Sequence, residues 1–330
     1  MWHDARSMTP EQFASRRGLA GFVAALIVPI SFVSRDASAQ GGDEVGQLVA
    51  WGLVAQVPDS ILPYARVVVG GQHAVGLRAD GSVAVWGVDE HGQCSLPELS
   101  DPVRQVGAGV YHSIWLRFNG SVVCWGAEGP GWPNYGQSST PADLPPATFV
   151  SAGSMHSLAV AFDGSVRCWG YLAESVNAPP AGLAAVRSVD GGWEHNSAIL
   201  TNGSVACWGS NSEGQTNIPT DLPPCTSVES GDYHSVALSS TGTVHCWGRN
   251  AFGVCDVPGG LGFVTAIAAG SDHTVALKAD GAVVCWGSNE WGQCSPPAAL
   301  GPLTAISAGA VATIATDNAG EVRAWGGRMG

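Results

Sequence analysis

The dipeptide Trp-Gly recurs at Trp51, Trp86, Trp125, Trp169, Trp208, Trp247, Trp286 and Trp325, at intervals of 35, 39, 44, 39, 39, 39 and 39 residues. A period of this size means that one supersecondary unit is copied along the chain, and that each copy buries its faces on its neighbours. A second register runs in step with the first. Gly-x-x-His places His73, His112, His156, His234 and His273, and Gly192-Trp193-Glu194-His195 supplies the sixth histidine. The seventh copy has Ala312 in the histidine slot.

Inside a copy the pattern is that of strands. An apolar stretch such as Val264–Gly270 precedes His273–Lys278, then Asp280-Gly281, then Val283–Gly287. The turn slot holds Asp80-Gly81, Asn119-Gly120, Asp163-Gly164, Asn202-Gly203, Thr241-Gly242, Asp280-Gly281 and Ala319-Gly320. Asp-Gly or Asn-Gly between two apolar runs signals a hairpin, because glycine takes the positive φ of the turn without strain. Forty-five glycines, 20 prolines and only 12% charged residues suit many short strands rather than helices. One such sheet cannot bury both faces alone, and radial stacking of seven solves that while protecting the strand edges. The expected fold is an all-β, seven-bladed β-propeller over residues 40–330. Trp51 has no hairpin before it, so Gln47–Trp51 is expected to return and complete the last blade, closing the ring. The repeats leave no room for a second domain.

The N-terminus reads as an export signal. Arg16-Arg17 leads into the apolar run Gly18–Val28, too short to span a bilayer, and Ala37-Ser38-Ala39 offers a small-x-small cleavage site. Adjacent arginines before a Gly/Ala-rich core point to the twin-arginine route, with the general secretory route as the alternative. Residues 1–39 are therefore expected to be a signal peptide and the mature protein to be periplasmic or extracellular. No later apolar stretch is long enough for a membrane helix.

The unit Val-x-x-Val-x-x-Gly-x-x-His-[Ser/Thr]-x-Ala-Leu…Asp-Gly-x-Val-x-x-Trp-Gly-x-Asn-x-x-Gly-Gln resembles the repeat of the regulator of chromosome condensation family, most clearly in residues 270–293 and 231–253. The short spacing, the Gly214-Gln215-Thr216-Asn217-Ile218-Pro219 loop and the signal resemble the secreted bacterial branch of β-lactamase inhibitory propellers. The resemblance covers about residues 45–328 and implies the propeller fold. It implies function weakly, because the fold hosts exchange factors, inhibitors and proteins of no known role. Guanine-nucleotide exchange and chromatin binding, as in the eukaryotic relatives, sit badly with an export signal and a net charge of −13. That charge also disfavours nucleic acid as a partner.

No catalytic constellation or cofactor motif is legible, so the chain reads as non-enzymatic and free of cofactors. The recurring histidines sit too far apart around a ring to share one metal ion, and they read as fold-defining hydrogen-bonding residues. The recurring tryptophans read as packing between blades. Cysteines occupy two slots, just before Trp-Gly and eight residues after the Trp. Both slots are filled in Cys246/Cys255 and Cys285/Cys294, so these pairs can form disulfides; buried free thiols are the alternative.

The non-repeating signal is aromatic. The Gly-x-x-His connection and the loop after Trp-Gly fall at one end of every hairpin, the Asp-Gly turns at the other. The first set of loops carries Tyr111, Trp132, Tyr135, Tyr171, Trp193, Tyr233, Phe252 and Trp291, with Asp89, Glu90, Glu194, Asp232, Asp272 and Glu290 around them. Loop aromatics without a periodic packing role are enriched at binding hot spots, and an acidic rim favours a partner with a basic patch. The expectation is a monomeric, exported protein-binding propeller, inhibitor-like, using this face. A carbohydrate-binding propeller or an extracytoplasmic hydrolase or lyase acting in the channel mouth are the alternatives.

Overall fold

The computed structural model describes residues 63–98, 101–127, 133–171, 174–298 and 300–327. The expected signal peptide and the closing strand at 47–52 lie outside these residues. Within them the chain forms seven three-stranded antiparallel sheets, each built from consecutive strands. The first strands are Tyr64–Val69, Val103–Ala108, Ala147–Ala152, Val186–Gly191, Cys225–Ser230, Val264–Ala269 and Leu303–Ala308. These inner strands line a central channel of about 710 Å³. The middle strands begin at the histidine register, as in His73–Arg78 and His273–Lys278, and the outer strands end at Trp-Gly, as in Val83–Gly87 and Val283–Gly287. No helix of the described residues is long and apolar enough to cross a membrane.

The hairpin turn differs in class from the tightest Asp-Gly type, which would need positive φ at two residues. Gly81 N–H bonds Arg78 O at 3.0 Å and Arg78 N–H bonds Ser82 O at 2.9 Å, a three-residue loop in which only the glycine is left-handed (φ 82). The preceding Asp or Asn also ties the turn through its side chain. The Asp80 carboxylate accepts Ser82 N–H at 2.9 Å, and Asn119, Asp163, Asn202 and Asp280 repeat the bond.

Blades join through the two repeated rings. Every recurring histidine is almost fully buried. His73 Nε2 lies 2.8 Å from Ser113 Oγ in the next blade, and His112, His156, His195, His234 and His273 make the same contact to Ser157, Asn196, Ser235, Thr274 and Thr313. Ser113 in turn donates its hydroxyl to Gln93 O at 3.2 Å, which leaves its oxygen to accept Nε2–H. The Trp125 indole N–H donates to that same carbonyl at 3.0 Å, and Trp169, Trp208, Trp247 and Trp286 follow suit one blade at a time. The glycine of Gly-x-x-His is required sterically: a Cβ on Gly231 would stand 2.1 Å from the His234 ring. Burial pushes the histidines down to about 3 or 4, so they are neutral at pH 7.

The ring closes between the last blade and the first. Tyr64 N–H bonds Gly320 O at 3.2 Å, Val69 N–H bonds Ser307 Oγ at 3.1 Å, and Tyr64, Val67, Val69, Ala74 and Trp86 share one core with Ile314, Val322 and Ala324. The missing seventh histidine is matched here. Ala312 faces a blade whose hydroxyl slot holds Ala74, and both are buried, so an apolar contact takes the place of the polar clamp.

Candidate functional site: the loop face

The topology places the Gly-x-x-His connections and the loops after Trp-Gly together on one face. The two are bonded to each other within each blade: Val88 N–H to Gln72 O at 2.9 Å, Ser210 N–H to Glu194 O at 2.7 Å, Ser288 N–H to Asp272 O at 2.8 Å. The Asp-Gly turns lie on the opposite face, where each turn glycine carbonyl accepts an N–H at the start of the next inner strand, as Gly120 O does from Ala147 at 2.8 Å.

The loop after Trp-Gly is built around the glutamine of the Gly-Gln pair, to which the sequence pattern alone assigned no role. Gln93, Gln137, Gln215 and Gln293 are buried, and each side-chain oxygen accepts the N–H two residues earlier: His91 (2.9 Å), Tyr135 (2.7 Å), Glu213 (2.9 Å) and Trp291 (2.9 Å). Asn250 and Asn289 hold the loop ends through Cys255 N–H and Cys294 N–H, both at 2.8 Å. The recurring Gly-Gln was the available signal. A buried glutamine on an otherwise polar loop positions the apex residue above it.

The predicted aromatics fall into two groups. Tyr111, Tyr135, Tyr171, Trp193 and Tyr233 are half-buried. Tyr111 meets the His91 edge at 5.0 Å, Tyr135 meets Tyr171 at 5.3 Å, and Arg249 stacks on Tyr233 at 5.5 Å. Burial and the nearby Glu90 raise the Tyr111 hydroxyl, and burial raises that of Tyr135. Tyr171 is pushed up to about 12 by burial and by Glu194, to which it hydrogen-bonds. These phenols stay protonated donors. Phe252 and Trp291 form the second group, with 56% and 39% of their surface exposed. Trp132 lies outside the described residues.

The acids divide in the same way. Asp89 is exposed but turns its oxygens on its own loop, accepting Cys94 N–H at 2.7 Å and the Ser95 hydroxyl at 2.9 Å. Asp232 accepts the Ser271 hydroxyl at 3.1 Å across a blade boundary, and Asp272 lies 4.0 Å from Arg249. Glu90 and Glu290 are exposed.

The loops that carry Phe252 and Trp291 belong to neighbouring blades, and both are closed by disulfides. Cys246 pairs with Cys255 (Cα–Cα 5.1 Å) and Cys285 with Cys294 (5.0 Å). Cys94 fills the same loop slot in the first blade, where Val85 occupies the slot before Trp-Gly, and is a free thiol. Phe252 has a left-handed backbone (φ 61), which costs a non-glycine residue about 1–2 kcal/mol and persists only where its surroundings hold it.

Two features have no counterpart in the repeat pattern. On the turn face Phe118 and Phe162 are 69% and 87% exposed. The channel also holds carboxylates that no motif marked. Asp190 accepts the Ser151 hydroxyl and Ser230 N–H, both at 2.8 Å, and so braces three inner strands. Burial raises it to about 6, and burial together with Asp190 raises Glu229 well above the usual carboxylate range. Among the described residues no group of three or more His, Cys, Asp or Glu gathers as metal ligands would.

Comparison with solved structures agrees with this architecture. The CRINKLY WD40 ectodomain of the Arabidopsis thaliana receptor kinase ACR4 superposes with a TM-score of 0.64 at 20% identity, over 81% of this chain and 98% of that one. The ectodomain of the Physcomitrella patens receptor kinase CR4 gives 0.65 at 23% identity, over 81% and 74%. Prp20p from Saccharomyces cerevisiae, described with its binding to Gsp1p and histones, gives 0.61 at 20% identity, over 74% and 80%. At these identities the likeness is one of fold. No curated protein sequence matches the chain. The regulator of chromosome condensation (RCC1) repeat matches residues 64–93, 103–137, 147–171, 186–215, 225–254 and 264–293, and the chain belongs to that repeat family.

Proposed function

We propose that residues 40–330 act outside the cytoplasm as a non-enzymatic protein-binding propeller, inhibitor-like in that the loop face covers a basic patch on its partner. One observation carries this reading. Two neighbouring loops, each closed by a disulfide, hold Phe252 and Trp291 out into solvent beside the exposed Glu290 and Asp256. A rigid loop that presents an apolar ring loses little conformational entropy on binding, which is what a hot spot requires. The half-buried Tyr233, in the same blade as Phe252, adds a further aromatic surface. The fold is compatible with such a role, since Prp20p is described as binding Gsp1p and histones. The disulfides suit an oxidising compartment, as the signal at 1–39 implies.

The test is capture of a partner from the exported fraction of the native host, followed by an affinity scan of both faces. Phe252→Ala and Trp291→Ala should each weaken binding about 30-fold, the equivalent of about 2 kcal/mol. Asp163→Ala and Asp280→Ala on the turn face should leave it unchanged. Losses confined to the turn-face variants would overturn the assignment.

A further inference from the structure

The turn face carries a feature of its own. In the slot before the turn dipeptide the blades hold Ala79, Phe118, Phe162, Thr201, Ser240, Ala279 and Asn318. The two phenylalanines are thus confined to two consecutive blades and, among the described residues, are the two most exposed large apolar side chains, at 69% and 87%. They flank one junction. Ala147 N–H bonds Gly120 O at 2.8 Å, just beyond Phe118, and Phe162 N–H bonds Pro146 O at 3.1 Å. Beside this junction opens a cleft of about 350 Å³ lined by Val122, Pro141, Leu144, Pro145 and Pro146 together with the polar Asn119, Ser121 and Thr140. Phe263, also exposed on this face, is accounted for differently: its ring lies against Gly242, in the slot where most blades have proline.

Charge is distributed unevenly between the faces. Among the described residues only Arg249 is basic on the loop face, against Asp89, Glu90, Glu194, Glu213, Asp272 and Glu290. Arg78, Arg117 and Lys278 end middle strands, Arg104 and Arg187 open inner strands, and Arg167 and Arg323 open outer strands, all beside the turns. The acids of this face, such as Asp101, Asp143 and Asp163, are interleaved with them. Much of the net negative charge therefore points away through the loops, and the turn face is close to balanced.

We infer that two copies of the chain associate back to back through their turn faces, with Phe118 and Phe162 of each copy seated against the Pro141–Pro146 cleft of the other. A two-fold axis requires one patch to complement itself. This patch has both halves of such a contact, projecting rings with a receiving cleft, and arginines with aspartates. Approach by loop faces would bring like charge together, whereas turn faces meet without that penalty. A contiguous exposed apolar patch on a soluble protein marks an association site. The sequence alone reads as a monomer because these rings lie at turns, where a phenylalanine has no periodic meaning. The dimer leaves both loop faces outward, making the protein bivalent.

Sedimentation equilibrium of the full chain, from about 1 to 100 μM, tests this. The wild type should dimerise in that range, and Phe118→Ser with Phe162→Ser should raise the dissociation constant more than about tenfold. The melting temperature of that variant, measured below the dissociation constant, should match the wild type, since neither ring is buried in one copy. Phe252→Ala with Trp291→Ala on the loop face should leave dimerisation unchanged. A wild type that stays monomeric at about 100 μM overturns the inference. So does a dimer that survives loss of both turn phenylalanines, or one broken by the loop-face pair.

Discussion

Acid should unfold this protein early, and the buried histidines set the scale. His73, His112, His156, His195, His234 and His273 titrate near 3 or 4 when folded, against 6.5 in an unfolded chain. Between those values the unfolded chain binds protons that the folded one cannot. The histidine contribution is therefore complete above about pH 6.5 and is lost as pH falls toward 4. From pH 7 to 5.5 each ring loses about 1 kcal/mol by this linkage, and six together lose several kcal/mol. Asp190, raised to about 6, acts the other way: its folded carboxyl takes up a proton first and returns about 1 kcal/mol over the same interval. Glu229 has the same sign. The net loss of several kcal/mol compares with a total stability of about 5–15 kcal/mol for a domain. Urea unfolding followed by tryptophan fluorescence at a series of pH values measures it. The slope near pH 5.5 should report net uptake of about four protons on unfolding, and about one fewer in His112→Gln. Stability at pH 5.5 within about 2 kcal/mol of its value at pH 7 would refute the reasoning, because the rings would then be protonating in place.

Trp208→Ala removes a buried ring and its hydrogen bond to Val176 O, and should cost about 3–5 kcal/mol in denaturant unfolding; a cost near zero would contradict the inter-blade role. Cys285→Ser with Cys294→Ser opens a short covalent loop and should lower stability by about 2–3 kcal/mol in the chain-entropy account; adding reductant to the wild type, which also opens Cys246–Cys255, should lower it further. Arg16→Lys with Arg17→Lys should leave uncleaved precursor in the cytoplasm if export is by the twin-arginine route; normal export of that variant, with cleavage after Ala39, points to the general secretory route instead.

Much of the fold was legible because its determinants are local and repeated. The Trp-Gly and Gly-x-x-His registers, the Asp-Gly turns and the 39-residue period each describe residues close together in sequence, and seven repetitions average out the ambiguity of any one strand. Which cysteines could pair was legible for the same reason, since both members fall within one unit, while the choice between disulfide and free thiol stayed open. The loop-face aromatics could be placed on a face but not ranked. Tyr135 and Tyr171 look equivalent to Phe252 in sequence, yet they lie against each other while Phe252 stands in solvent. The channel acids had no signature, because Asp190 and Glu229 become neighbours only when adjacent inner strands line up.

The sequence by itself determined the unit, its strands and turns, the number of copies and the end of each hairpin on which a loop must fall. These follow from hydrogen-bond geometry and side-chain period within one 39-residue unit. The tertiary structure decided which side-chain oxygen each histidine meets in the following blade, why Ala312 and Ala74 suit each other at the seam, how deeply each loop aromatic is covered, and that two exposed phenylalanines in adjoining blades flank one junction. Burial and pairing of this kind depend on the neighbouring blade, and a neighbour exists only after the ring has closed.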